Sequence, residues 1–420
     1  MRVLQLVKTS VGAAWALRQM RELVKLGIDV HVALPVRDPN FPCGGPMVEK
    51  YRMAGVTVHD LQTDFPIRNP HRFPALARDF RHLVDQIHPD IIHSHFVGTT
   101  LTMRLTLGKT VTPLRVFQVP GPLHLEHPFF RAAEILTAGP SDVWIGSCRW
   151  TCQRYQQSGI DPGRLYLSYY GTDIDRTIPQ RTGKLRQELG LSATTNIVGM
   201  VAYCYGPKWY VGQTRGLKGH EDLIDALALC LEHNPNLVGV FVGGAWAGAD
   251  AYAAKVQAYG REKLGNKAIF LGNRSDVAEL YPDFDVAVHP SHSENVGGAA
   301  ESLMLGVPTI ATDVGGFPDL VIPGKTGWLV PPKSPDWLAS AILDVVEHPA
   351  EAKHMALEGQ ALARTLLSID NTAPQIADIY QELISSRGAE ETRAKGWGLK
   401  KPGLRAEDIG LGAEETRVGG

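Results

Sequence analysis

The chain has 420 residues, 44% hydrophobic and 20% charged, with a formal net charge of -2 at pH 7. That length exceeds one ordinary core, at roughly 100–200 residues per domain, and predicts two domains. The near-neutral charge excludes a global basic field of the kind that attracts nucleic acid.

In chain order, residues 2–7 form a short apolar run and 13–26 carry helical periodicity closed by Gly27. Residues 29–34 are apolar again, which completes a β-α-β unit. The alternation continues with helix 74–87, strand 90–95, strand 114–119, helix 128–138, strand 142–147, helix 149–158 and strand 164–168. After a charged stretch at 175–190 it restarts with strand 197–202, helix 220–232, strand 237–243, helix 250–264 and strand 267–271. Strand 285–289, helix 298–305, strand 308–312 and helices 334–347 and 349–386 follow. Strands alternating with helices predict parallel, doubly wound sheets. The expected organisation is an α/β amino-terminal domain over 1–180 and a second over 181–372. Residues 373–387 are expected to form a helix packing back on the first domain. The Gly- and charge-rich segment 388–420, which repeats GAEETR, is expected to be a disordered tail.

Five cysteines, Cys43, Cys148, Cys152, Cys204 and Cys230, read as buried small hydrophobes in a reducing compartment. No Cys/His spacing supplies four zinc ligands, so no metal is expected. No window reaches the roughly 20 apolar residues of a membrane span, and the first residues lack a signal-peptide pattern, so a cytoplasmic location is expected.

Ligands of open parallel sheets bind at the carboxyl ends of the strands, which directs attention to the loops there. The segment 289–316, HPSHSENVGGAAESLMLGVPTIATDVGG, sends a strand into a polar loop and then into a helix opened by Gly297 and Gly298. Amides and dipole at such a helix start favour a phosphate, and the glycines let it approach. Glu301, expected in the first turn, is placed to accept hydrogen bonds from a ribose diol. A diphosphate also calls for a cation, and Lys218 in GLKGHEDLIDAL is the candidate.

This segment, with Gly306-Val307-Pro308, Gly315-Gly316 and the following Gly324-Lys325-Thr326-Gly327-Trp328-Leu329-Val330, resembles the signature of the large retaining family-4 glycosyltransferases. Six residues separate Glu294 from Glu301, one fewer than is usual in that family. The resemblance spans about residues 1–387 and implies the GT-B fold, two Rossmann-like doubly wound domains facing across a cleft. It implies a metal-independent transfer, with no cofactor, of a sugar from a nucleotide-diphosphate sugar to a carbohydrate or lipid-linked acceptor, in polysaccharide, glycolipid or glycoconjugate biosynthesis. By resemblance Glu294 faces the donor sugar, the amides of Asn295, Val296, Gly297 and Gly298 hold the diphosphate, and Lys218 clamps it with a basic partner, Arg215 or Lys208. Gly12 corresponds to the first-loop glycines, and His124, with His127 as its rival, to a histidine near the reacting carbon. In HPDIIHSHFVG, His93 and His95 share one face of a strand, as ligand contacts or as structural histidines. Tyr170 stands where the family's hinge motif has Asn.

A same-fold nucleotide-sugar epimerase and a non-catalytic nucleotide- or sugar-binding protein are the alternatives. The absence of GxGxxG disfavours a nicotinamide-dependent oxidoreductase. Arg68, Arg72, Arg78 and Arg81 concentrate along 68–88, which suits either peripheral contact with an anionic membrane or an amphipathic helix whose apolar face, Leu76, Phe80, Leu83 and Ile87, fills a core.

Overall fold

A computed structural model describes residues 1–36, 45–109, 112–173, 180–208, 212–246 and 248–394, with side chains described as far as residue 387. The chain divides into two compact units. The first comprises Met1–Pro120, Pro128–Gly171 and the chain from Ile369 onward; the second comprises Gly121–His127 and Thr172–Ser368.

In the first unit, seven strands are described: β1 (Arg2–Leu6), β2 (Asp29–Leu34), β3 (Thr57–Asp60), β4 (Ile91–Ser94), β5 (Leu114–Gln118), β6 (Asp142–Gly146) and β7 (Leu165–Leu167). They form one sheet in the order β3-β2-β1-β4-β5-β6-β7, every described pairing parallel. The second unit carries β8 (Asn196–Val201), β9 (Leu237–Val242), β10 (Ala268–Gly272), β11 (Val286–His289), β12 (Thr309–Thr312) and β13 (Trp328–Val330), in the parallel order β10-β9-β8-β11-β12-β13. The central strands are buried along both faces, the state their continuous Val/Ile/Leu runs dictate. In each sheet the chain winds one way and then reverses, between β1 and β4 and between β8 and β11. The carboxyl ends of strands beside such a reversal are where open α/β sheets bind ligands.

Several segments depart from the sequence expectation, among them the helices Pro46–Met53 and Lys184–Glu188 and the strand β13. β3 and the helix Val97–Leu107 lack a clear period: the strand is four residues long and the helix is interrupted by threonines. The expected single helix over 349–386 is two helices, Pro349–Leu367 and Ile369–Ala394, broken at Ser368, which takes extended backbone angles and bridges Thr172. The second of these helices puts Ile376, Ile379, Tyr380 and Leu383 into the core of the first unit and is helical to Ala394, beyond residue 388 where disorder was expected. The remainder of that expected tail, 395–420, lies outside the described residues, as does Cys43.

Cys148, Cys152, Cys204 and Cys230 are buried free thiols. Leu76, Phe80, Leu83 and Ile87 are buried in the first unit, so the helix Phe73–Ile87 uses its apolar face for the core. Among the described residues no helix is long and apolar enough to cross a membrane.

Candidate active site at the carboxyl ends of β8 and β11

The site is built from the two loops that leave the reversal point of the second sheet. β11 ends at His289, and the chain runs through Pro290–Val296 into the helix Gly297–Met304. That helix has no side-chain cap, Gly297 is exposed, and a Cβ placed on Gly297 meets nothing within 4 Å. A positive helix end with accessible amides is thus present, as anion binding requires. Gly298 is glycine for a different reason: a Cβ there would lie 2.9 Å from His289 Nδ1. The His289 ring is fixed in turn by Ser302 Oγ at 2.9 Å.

The loop after β8 delivers Lys218. Gly219, at φ +72°, caps the following helix His220–His233, and a Cβ on it would come 2.0 Å from the Pro290 carbonyl oxygen. Only glycine lets the two loops close at that point, and the closure is reinforced by the His292 amide donating to the Leu217 carbonyl at 2.8 Å. Lys218 Nζ then forms an ion pair with Glu294 Oε2, the two side chains being 20% and 16% exposed. Burial alone would push the Lys218 amine down. The Glu294 carboxylate, by charge and by hydrogen bond, overcomes it, and with smaller contributions from Tyr205 and Glu301 the amine stands above its ordinary value. Tyr205 adds its ring face, 5.8 Å from the ammonium.

Glu294 is held at its backbone as well. Gly316 N–H donates to its carbonyl at 3.3 Å, and Gly315, at φ +52°, would put a Cβ 1.8 Å from the same oxygen. The Gly-Gly pair after β12 is therefore the seat of the Glu294 loop. Thr312 Oγ1 supports it further, donating to the Ser291 carbonyl at 2.6 Å. Glu301 is exposed on the second turn of the helix, not the first, because the helix starts at Gly297. Asn295 and Val296 are buried, Val296 as the N-cap residue.

The structure brings together Lys218, Glu294, Asn295, Val296, Gly297, Gly298 and Glu301. His124 lies partly buried on the short helical segment Leu123–Glu126, where Glu126 accepts a hydrogen bond from Ser293 Oγ at 2.8 Å, beside Glu294. The Arg215 guanidinium donates to Asp222 at 2.6 Å and Asp225 at 2.8 Å, and these carboxylates raise it above its ordinary value against the lowering by burial. Gly12 belongs to the first unit; the left-handed residue of its turn is Ala13, at φ 65°, and not the glycine. His93 and His95 stack at 4.4 Å inside the first unit, bonded to Tyr380, Tyr170 and Gln5. Tyr170, at the position of the usual Asn, also donates to the Gln118 carbonyl at 3.1 Å. Sequence reasoning missed Tyr205, Asp222 and His292. Asp222 reads as an ordinary first-turn helix acid and His292 as loop polarity, and only the folded loops join them.

Residues 13–176 match the family described as Glycosyltransferase Family 4, and residues 209–361 match the family described as Glycosyl transferases group 1. D-inositol 3-phosphate glycosyltransferase of Corynebacterium glutamicum is 30% identical over 241 residues, 55% of this chain and 54% of that protein. Its counterpart in Thermomonospora curvata is 29% identical over 263 residues, 59% of this chain and 58% of that protein. The matches thus span little more than half the length of these curated relatives. Anabaena HepE, solved in complex with UDP, superposes with a TM-score of 0.74 at 23% identity, over 91% of this chain and 100% of HepE. Sucrose-phosphate synthase from Thermosynechococcus elongatus gives 0.74 at 19% identity, over 92% and 100% of the two chains. These likenesses fix the fold as GT-B, and with both halves matched to glycosyltransferase families the chain belongs to the family 4 glycosyltransferases.

Proposed function

We propose that this chain transfers a hexose from a nucleoside diphosphate sugar to an acceptor hydroxyl with retention of configuration and without a metal. The observation that carries this reading is the juxtaposition of an uncapped, exposed helix start at Gly297 with the Lys218–Glu294 ion pair. When the glycosidic bond breaks, negative charge develops on the departing phosphate. Lys218 and the Gly297–Gly298 amides are fixed donors for it and need little reorganisation. Glu294 turns to the hydroxyls of the donor sugar once its lysine is shared with the diphosphate, and Glu301 accepts from the ribose diol. The acceptor hydroxyl bonds to the anomeric carbon on the face the phosphate leaves, and its proton passes to that phosphate, so atoms and charge balance. His124 is assigned to the donor sugar near the reacting carbon.

Because HepE has been crystallised with UDP and with UDP-glucose, uridine diphosphate sugars are the first donors to try. The inositol phosphate glycosyltransferases among the relatives make a cyclitol phosphate the first acceptor. The test is a donor panel read by nucleotide release and by glycosyl product. Glu301→Ala should weaken donor binding about 10-fold or more, the loss of a bidentate acceptor. Nucleotide-sugar turnover without a glycosyl product would point to an epimerase. If Glu301→Ala and Lys218→Ala both kept wild-type transfer with every donor, the site assignment would be wrong.

A further inference from the structure

Behind the Lys218–Glu294 pair lies a second polar chain that the proposed chemistry does not use. His292 Nε2 meets Asp222 Oδ2 at 2.5 Å, and Asp222 Oδ1 accepts from Arg215 at 2.6 Å. The His292 and Asp222 side chains are only 7% and 6% exposed. Burial would raise the Asp222 carboxyl, but His292 and Arg215, as hydrogen-bond donors and as charges, bring it below its ordinary value. Arg215 is anchored a second time by Asp225, which also accepts from the Tyr259 hydroxyl.

The chain of contacts begins and ends beside the two reactive side chains. His292 is two residues before Glu294, and its own amide holds the carbonyl of Leu217, the residue before Lys218. The two loops are also tied by the Lys218–Glu294 ion pair. A donor diphosphate competes for that lysine, so this tie weakens as substrate binds. Among the described contacts, the His292 amide bond and the Asp222–His292 bond still join the two loops when that tie is gone.

We infer that Asp222 and His292 are positioning residues that keep Glu294 and Lys218 at their working separation when the donor displaces their mutual ion pair. This rests on the donor reading of the preceding section. Arg215 is then the outer support of the latch and not a clamp on the phosphates.

His292 and Asp222 line a cavity of about 310 Å³, so truncating His292 opens onto existing space instead of leaving a sealed void. His292→Ala should therefore keep its ligand-free melting temperature within about 4 °C of wild type. Its binding stoichiometry for UDP should be unchanged, while kcat should fall about 10- to 100-fold, the effect of a small misplacement of reacting groups. His292→Gln, whose amide still donates to Asp222, should recover most of that loss. Unchanged kcat in His292→Ala, with Lys218→Ala and Glu294→Ala inactive, would overturn the latch and leave the transfer reading standing. A loss that His292→Gln does not recover, or one matched by lost UDP stoichiometry, would mark a purely structural role and overturn it as well. Wild-type transfer by Lys218→Ala and Glu294→Ala would instead strike the donor reading on which both rest.

Discussion

The ends of β1 and β4 in the first unit and of β8 and β11 in the second occupy equivalent places in their sheets, yet they treat polar side chains in opposite ways. At the first reversal Gln5, His93 and His95 are fully buried: His95 bonds to Gln5 and Tyr170, His93 stacks on His95, and Gln5 and His93 bond to Tyr380 from the carboxyl-terminal helix. At the second, Lys218 and Glu294 are partly accessible beside an exposed glycine at a helix start. Buried polar networks with internal partners specify one packing arrangement, whereas polar groups left facing solvent at a helix start keep their bonding capacity for a ligand. The contrast assigns stability to the first set and chemistry to the second.

The largest test of that division is Arg104→Ala. Arg104 is fully buried in the first unit and donates to Glu134 at 2.7 Å and to Asp142 at 2.9 Å, with its guanidinium 5.1 Å from the Trp144 ring. Removing it leaves the buried Glu134 carboxylate without its cation, while Asp142 keeps Arg115 at 2.9 Å, and should cost about 3–5 kcal/mol of stability in chemical denaturation. A loss below about 1 kcal/mol would show that the cluster is hydrated, as surface pairs are, and the contrast between the units would fail.

Next comes Lys218→Ala, which should behave in the reverse manner. Turnover should fall about 10²- to 10³-fold, the usual loss for one fixed donor to a developing oxyanion, while the melting temperature should change little because the pair is not sealed from water. A variant that unfolds but retains its turnover per folded molecule would exchange the roles of the two regions.

How much of this division was legible beforehand depends on whether the signal is local. The helix start at Gly297, the Lys-Gly pair and the Gly-Gly turn each follow an apolar strand, so their places at the carboxyl ends could be read from the pattern. The reasons for the glycines could not. Gly219 answers to Pro290, Gly298 to His289 and Gly315 to the Glu294 carbonyl, and the first and last of these join loops distant in sequence. The partners of Arg215 were hidden for the same reason: sequence proximity to Lys218 suggested a phosphate clamp, and only the fold shows Asp222 and Asp225, in the first and second turns of the next helix, pairing with it. His93 and His95 could be placed on one face from their spacing. That this face is closed by Tyr380, 287 residues beyond His93, is invisible without the fold.

Acidification gives the smallest effect per group. Burial lowers His95 to about 3 and His93 well below its ordinary value in the first unit. In the second, burial with a smaller push from the Lys218 charge lowers His289 to about 3 and, against a hydrogen bond the ring donates to the Ala202 backbone, His220 to about 4. A histidine whose folded pKa lies below its unfolded value of 6.5 is bound by more protons in the unfolded chain, so its stabilisation is complete above that value and is lost as pH falls toward the folded pKa. Each such ring should remove about 1.4 kcal/mol per pH unit once the pH is well below 6.5. Thermal unfolding between pH 7.5 and 5.5 should therefore show falling stability, and His95→Gln should flatten the profile by one ring's share. A flat profile for the wild-type protein would mean that the rings reach water in the folded state. In Lys218→Ala the second unit should titrate slightly less steeply while the first keeps its slope, because that ammonium lowers His220 and His289 but neither His93 nor His95.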